Sequence, residues 1–270
     1  MDFFIGITKL LSFDFSGFVV SLNQTPIIIT WVAFLLFCLV LILLLLKLFG
    51  ESGMYIYTVL AIIVANIQVL KIVDFPFFES PIALGTILFS TTFLTTDILS
   101  EYYGYDYARK NILIGFVSFL VMTIFMLFTM GFTPLSENSA GREYSWALPL
   151  QENLLGIFIP FPSFFAASMI AYLFSQYFDV WIYKKLLDLT NKKFLWLRNN
   201  LSTMTSSLLD NTVFSIFAWI IFNPNPLDFN TVLFTFILGT YVLRIIIAIF
   251  DTPFIYLAKF FLPKRVNEQL

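Results

Sequence analysis

Residues 27–46, IIITWVAFLLFCLVLILLLL, run without a single charge. A helix rises about 1.5 Å per residue and bilayer hydrocarbon is about 30 Å thick, so this stretch is long enough to cross a membrane as one helix. In lipid the backbone must satisfy its own hydrogen bonds, which leaves a helix as the only open conformation for such a run. Six further segments of similar length and apolarity lie near residues 55–73, 82–102, 111–131, 158–182, 201–222 and 231–256. With 59% hydrophobic against 12% charged residues, the chain lies outside the range of soluble domains. The expectation is an all-α integral membrane protein of about seven transmembrane helices, resident in a cell membrane. Residues 1–25 hold only a broken apolar run around FFIGITKLLSF. Asp14 and the lack of a basic start or small-residue cleavage site argue against a signal peptide, so this run reads as an interfacial segment.

Basic residues stay on the cytoplasmic side of short loops, so their positions orient the chain. Lys47, Arg109, Lys110, Lys184, Lys185, Lys192, Lys193, Arg198, Lys259, Lys264 and Arg265 follow the odd-numbered helices. Only Lys9, Lys71 and Arg142 fall on the other side. That asymmetry predicts an N-terminus outside and a C-terminus in the cytoplasm, with 132–157 as a long extracytoplasmic connection. Fifteen basic against seventeen acidic residues leave no general basic field, and nucleic acid is not an expected partner. There is no histidine, which removes Ser-His-Asp catalysis and His-ligated haem or zinc. Cys38 is the single cysteine, inside the first apolar run, and reads as packing or lipid-facing. No cofactor, metal or enzymatic activity is expected.

Charges at bilayer depth cost about 2.5–3.5 kcal/mol or more, so each should face protein or water. Counting helix rise from each segment start puts Asn66 and Asp210 near the midplane. Asp97 and Arg244 come out about two thirds of the way to the cytoplasmic face. Asp179 and Asp251 fall near the inner boundary, where anchoring at the interface is the simplest reading. Depth matching predicts an ion pair between Arg244 and Asp97 that fastens the seventh helix to the third, as architecture or as a gate. Asp210 is then left without a cation. Thr203, Ser206, Ser207 and Asp210 share adjoining positions on one face, continued by Phe214 and Phe217. Hydroxyl-mediated helix packing explains the Ser and Thr residues alone; the acid adds a binding reading. With the amides of Asn66 and Gln68, this set could hold a planar base: carboxylate oxygens for a guanine-like N–H edge, amides for the carbonyl, rings for stacking.

Four ordered blocks resemble the queuosine precursor transporter family, also called the vitamin uptake transporter family, over roughly residues 54–262. TTDILSEYYGYDYARK (95–110) is similar to its acid, charged residue, aromatic-Gly and small-Arg pattern through Asp97, Glu101, Gly104, Ala108 and Arg109. ANIQVLK (65–71) resembles its amide-bearing helix, and SQYFDVWIYKKL (175–186) its Gln-x-x-Asp-Val segment through Gln176, Asp179 and Val180. LWLRNNLSTMTSSLLDNTVFSIFAW (195–219) carries Asp210 at the family's midhelix acid, and TYVLRIIIAIFDTPFIYLA (240–258) resembles the closing helix with Arg244. The resemblance implies import of 7-deazaguanine bases such as preQ0, preQ1 or queuine for tRNA modification. The expected ligand residues are Asp210, Asn66, Gln68, Ser206 and Phe214, with Glu101, Gln176 and Asp179 as secondary candidates.

Many relatives resemble six-helix proteins, so 1–53 reads as an N-terminal segment with an additional helix, 54–262 as the transporter core and 263–270 as a cytoplasmic tail. The six core helices divide as three plus three, and an odd number per half makes any repeat inverted. STTFLTTD (90–97) and STMTSSLLD (202–210) are its sequence support. The alternative is a substrate-binding subunit of an energy-coupling-factor type vitamin importer, whose ATPase would be a partner because no Walker motif occurs here. An aspartyl protease using Asp97 and Asp210 is disfavoured by their separation in depth of about 7 Å. Proton coupling through Asp210 or Asp97 stays open, as do a homodimer and an energy-coupling-factor module as assemblies.

Overall fold

A computed structural model describes residues 2–76, 78, 81–158 and 162–264. The protein is 82% helical, as an all-α membrane protein should be. Two short helices, α1 (Asp2–Leu11) and α2 (Phe15–Gln24), pack on each other, with Asp14 capping α2 by accepting from the Gly17 N–H at 2.9 Å. Next come α3 (Ile27–Phe49), α4 (Glu51–Gln68), α5 (Thr86–Tyr102) and α6 (Tyr105–Gly131). The 132–157 connection contains α7 (Glu137–Ala140) and most of α8 (Ala147–Phe158). The second half holds α9 (Pro162–Leu189), α10 (Leu195–Ile216), the single turn α11 (Phe229–Thr231) and α12 (Thr240–Phe261). Wider π-helical turns extend α10 over Phe217–Ile221 and lead into α12 over Val232–Gly239. Residues 27–49, 105–131, 195–221 and 229–261 are each long and apolar enough to cross a membrane.

Long helices occupy all seven predicted segments, but their ends differ. α6 and α9 run past the expected limits at ends rich in Lys, Arg and Tyr, because such side chains let a helix continue beyond hydrocarbon while their charges reach water, and α10 also starts early, at residue 195. At the opposite end the expected helices 55–73 and 82–102 are both cut short. Residues Ile72–Val73 (β1) and Ile82–Ala83 (β2) instead pair antiparallel, Ile72 opposite Ala83. Pro76 and Pro81 interrupt helix here. Gly85 turns the chain into α5 at φ 102°, and a Cβ there would lie 2.8 Å from the Ala65 carbonyl oxygen.

The centre of the bundle is α5, buried along most of its length against α3, α4, α6, α9, α10 and α12. Lipid tails are as apolar as leucine, so helices in a membrane associate through close packing and hydrogen bonds. Tyr57 meets Thr91 at 2.7 Å, Thr58 meets Thr95 at 2.9 Å, and Asn111 donates to Thr58 at 2.9 Å, joining α4, α5 and α6. Gly115 lets α6 approach α4 and α9, since a Cβ there would sit 2.5 Å from Ile62 and 2.6 Å from the Tyr172 hydroxyl. The α3 stripe Leu35, Cys38, Leu39, Ile42 and Leu46 is buried in the core, so Cys38 is a packing residue. Phe37, Val40, Leu44 and Leu48 point outward on the other face of α3.

Candidate functional site

Arg244 on α12 donates from Nη1 to Asp210 Oδ2 on α10 at 2.7 Å. Ser175 on α9 donates to the other oxygen, Oδ1, at 2.9 Å, so three helices meet at one carboxylate. Both members of the pair are buried, and Arg244 Nε has no partner. The expected pair of Arg244 with Asp97 is therefore wrong, and Asp210 does have a cation. Depth counting failed for two physical reasons. Helix α10 starts at residue 195 rather than 201, which lifts Asp210 by about 9 Å towards the hairpin end. The π-helical turns before α12 pack more residues into each turn, so Arg244 lies higher than a uniform α-helix would place it. Asn211 Nδ2 donates to the Ile237 carbonyl at 3.1 Å, which also accepts from the Thr240 backbone N–H, and to the Thr240 hydroxyl at 2.8 Å.

Beside the pair lies a cavity of about 60 Å³ whose walls include Phe89, Phe214, Trp219, Phe236 and Ser168, closed over by the β1–β2 hairpin through Ile82 and Ala83. Phe164 stacks edge-on against Trp219 at 5.0 Å, and Trp219 lies against Phe236 at 4.6 Å. An ionised carboxylate offers about four acceptor positions, and two are used here. The aromatic walls, the remaining carboxylate capacity and the free guanidinium N–H suit a flat ligand bearing both donors and acceptors. At its present volume the cavity admits water and not a bicyclic base, since ligand sites usually enclose about 300–1,000 Å³.

Of the residues expected to bind ligand, Asp210 and Phe214 come together in this cavity. Asn66 and Gln68 do not join them. Successive residues of a helix point in different directions. Asn66 lines a separate apolar cavity of about 200 Å³ and donates to the Ile62 carbonyl at 2.8 Å. Gln68 lines a third, of about 370 Å³, between α2, α3 and the hairpin. That cavity is larger than the one at Asp210, but its walls are mainly apolar, and among the described residues Lys71 is its single charged one. Ser206 lies one turn below Asp210, beside Asp179. Sequence reasoning passed over Ser175, Asn211 and Trp219, although each lies in or next to a family-like block.

The secondary candidates have separate structural roles. Glu101 on α5 accepts from Arg198 on α10 through both oxygens, Arg198 Nε lying 3.1 Å from Oε2. Tyr183 donates to the same Oε2 at 2.8 Å, and Arg198 Nη1 caps the Lys193 carbonyl at 2.9 Å. This pair ties α5 to α10 near the basic end of the bundle, whereas the fastening expected of Asp97 was between α5 and α12. Gln176 donates to Thr92 at 2.9 Å and accepts from Thr96 at 3.3 Å. Asp97 accepts from Thr203 at 3.3 Å and meets no cation among the described residues. Asp179 and Asp251 are both 0% exposed, which overturns their reading as interface anchors. Helix rise could not show that they face inward.

The family described as "Putative vitamin uptake transporter" matches residues 83–258, which contain α5 through most of α12 and so the whole pair and the cavity wall apart from Val69, Pro81 and Ile82. The chain belongs to the vitamin uptake transporter family. It is also 31% identical over 234 residues to the "Probable queuosine precursor transporter" of Bacillus subtilis (strain 168), covering 86% of this chain and 95% of that relative. No solved structure matches. Family membership and the apolar helices make it a multi-pass membrane transporter of the cell membrane, with transport rather than catalysis as its function.

Proposed function

We propose that this transporter imports a queuosine precursor, a 7-deazaguanine base such as preQ0, preQ1 or queuine, into the cytoplasm. The observation that carries the reading is the Asp210–Arg244 pair beside an aromatic cavity inside the bundle. The N–H edge of the base donates to the free positions of Asp210, Arg244 donates to its carbonyl, and Phe214 and Trp219 take its faces. Ser175 positions the carboxylate. The printed name of the Bacillus subtilis relative supports the substrate class.

All seven long helices cross the membrane in this reading, with the N-terminus outside and the C-terminus in the cytoplasm. In support, Lys47 lies in the last turn of α3, Lys184 and Lys185 near the end of α9, Arg198 at the start of α10 and Lys259 in the last turn of α12, at ends that the Glu101–Arg198 pair and the Tyr102 bond to the Ile255 carbonyl hold together. The hairpin then faces outward over the cavity, and import alternates between opening there and opening past Glu101–Arg198. Residues 1–53 add a peripheral helix to a core at 54–262. The energy-coupling-factor alternative is not favoured by these comparisons.

The test uses a bacterium that neither makes queuosine precursors nor carries its own importer. It expresses wild type or Asp210→Asn at matched membrane abundance, and queuosine in tRNA is measured after feeding each base. Wild type restores queuosine with at least one base; Asp210→Asn, which loses a charge-assisted bond of about 1.5–3 kcal/mol, lowers uptake about tenfold or more at limiting base. Folded wild type that restores nothing with any base refutes the reading.

A further inference from the structure

Below the Asp210 cavity, three carboxyl side chains from three helices lie at 0% exposure: Asp97 on α5, Asp179 on α9 and Asp251 on α12. Asp97 and Asp179 are neighbours in this interior, and Asp251 faces both. An ionised carboxylate only accepts hydrogen bonds, so contact between two of them requires a proton on one.

Among the described residues the surroundings supply no other compensation. From α10, Thr203 donates to Asp97, Asn199 donates to Asp251 at 3.0 Å, and Ser202 lies beside Asp179. From α9, Tyr183 is turned to Glu101. On α5, Glu101 is one turn away and held by Arg198. The neighbouring α4 and α6 contribute Tyr57, Thr58 and Asn111, all bonded to Thr91 or Thr95. Among the described residues the two buried arginines are already committed, Arg198 to Glu101 and Arg244 to Asp210. Each unpaired buried charge would cost several kcal/mol. Four carboxyl oxygens remain without partners: Asp97 Oδ1, both of Asp179 and Asp251 Oδ2. A neutral group points to the same place. Ser206, 0% exposed, sets its Oγ beside Asp179 without a well-formed bond to anything.

We propose that Asp97 and Asp179 form a proton-carrying site whose loading and release couple import to the proton gradient. The described residues include no set of three or more acidic or thiol groups arranged to hold a metal ion, so a proton fits this site better than a metal cation does. One proton sits between the two carboxyls at rest, and the site gains a second proton or gives one up as the helices rearrange. The connection to the ligand cavity is short. Ser175 bonds Asp210 and lies one turn from Asp179 on α9; Ser206 lies one turn from Asp210 on α10, about 6 Å by helix rise. Movement of Asp210 towards a ligand therefore pulls on both helices that line the acid pair.

The coupling rests on the import reading, whereas the shared proton does not. Infrared spectroscopy of the purified full chain in liposomes tests the proton: a protonated-carboxyl stretch is expected at neutral pH, shifting in D2O, lost in Asp97→Asn/Asp179→Asn and kept in Asp210→Asn. The D2O shift reads the wild type alone, so a variant that fails to fold does not block the test. For coupling, preQ1 uptake is driven by an inward gradient of one pH unit, worth about 1.4 kcal/mol, with about tenfold accumulation expected for one proton per base. Asp179→Asn should fall to about onefold while exchange of labelled for unlabelled base continues, and a sodium gradient should drive none. Absence of the stretch, full accumulation in Asp179→Asn, or accumulation driven by sodium overturns the proposal. A stretch that behaves as expected in a wild type that takes up no base supports the proton site and refutes the import reading instead.

Discussion

Replacing Arg198 by methionine should destabilise the folded protein severely, while removing its partner as well should restore most of the loss. Arg198 is 1% exposed and makes two bonds to Glu101, one to Tyr183 and one to the Lys193 carbonyl. With arginine gone, Glu101 keeps only the Tyr183 hydroxyl against a mostly buried negative charge. Breaking one side of a buried pair costs about 3–5 kcal/mol, whereas exchanging both sides for apolar groups of similar volume is close to neutral. Glu101→Leu alone leaves the buried Arg198 without its counter-charge and should likewise cost about 3–5 kcal/mol. Arg198→Met/Glu101→Leu should lie within about 2 kcal/mol of wild type, which gives a coupling energy of about 2 kcal/mol or more in a double-mutant cycle. The assay is reversible unfolding in mixed micelles, followed by circular dichroism. Additive single costs, with coupling under about 0.5 kcal/mol, would refute the idea that this pair acts as one unit.

Gly115→Ala should lower stability by about 1–3 kcal/mol in the same assay, because its Cβ would enter space held by Ile62 and the Tyr172 hydroxyl. Trp219→Ala removes a cavity wall, so it should weaken preQ1 binding at least tenfold by equilibrium dialysis. Phe128→Ala, at a side chain 72% exposed, should leave binding unchanged. Thr92→Val takes away the acceptor for Gln176 and should cost about 1–3 kcal/mol of stability with little change in the affinity for base.

Apolarity made the long helices legible because lipid selects for it along the whole length of a helix, as in the α3 stripe. Pairing was less legible, since it depends on depth and facing together. Arg244 reached Asp210 through a shifted helix start and a stretch of π winding, neither of which has a composition signal at this scale. Arg198 was counted as a topology marker, which hid its role as the partner of Glu101. The hairpin at Ile72–Val73 and Ile82–Ala83 is too short for a strand pattern to emerge from apolar flanks. The surroundings of Asp179 were misjudged, because a charged residue near a helix end looks the same in sequence whether it faces headgroups or another acid.

The burial of α5 bears on how the protein is made. Its 17 residues, TILFSTTFLTTDILSEY, include Asp97 and Glu101 among many hydroxyls, and it is absent from the described helices long and apolar enough to cross alone. A single aspartate near the centre of a helix costs about 2.5–3.5 kcal/mol during translocon insertion. Helix α6, which follows after a two-residue turn and is strongly apolar, can hold α5 at the membrane by its own partitioning. The polar partners of α5 on α9 and α10 are synthesised later still. Its final seat is therefore set after the first half of the chain has left the ribosome, and truncation before α9 should leave α5 exposed to quality-control proteases.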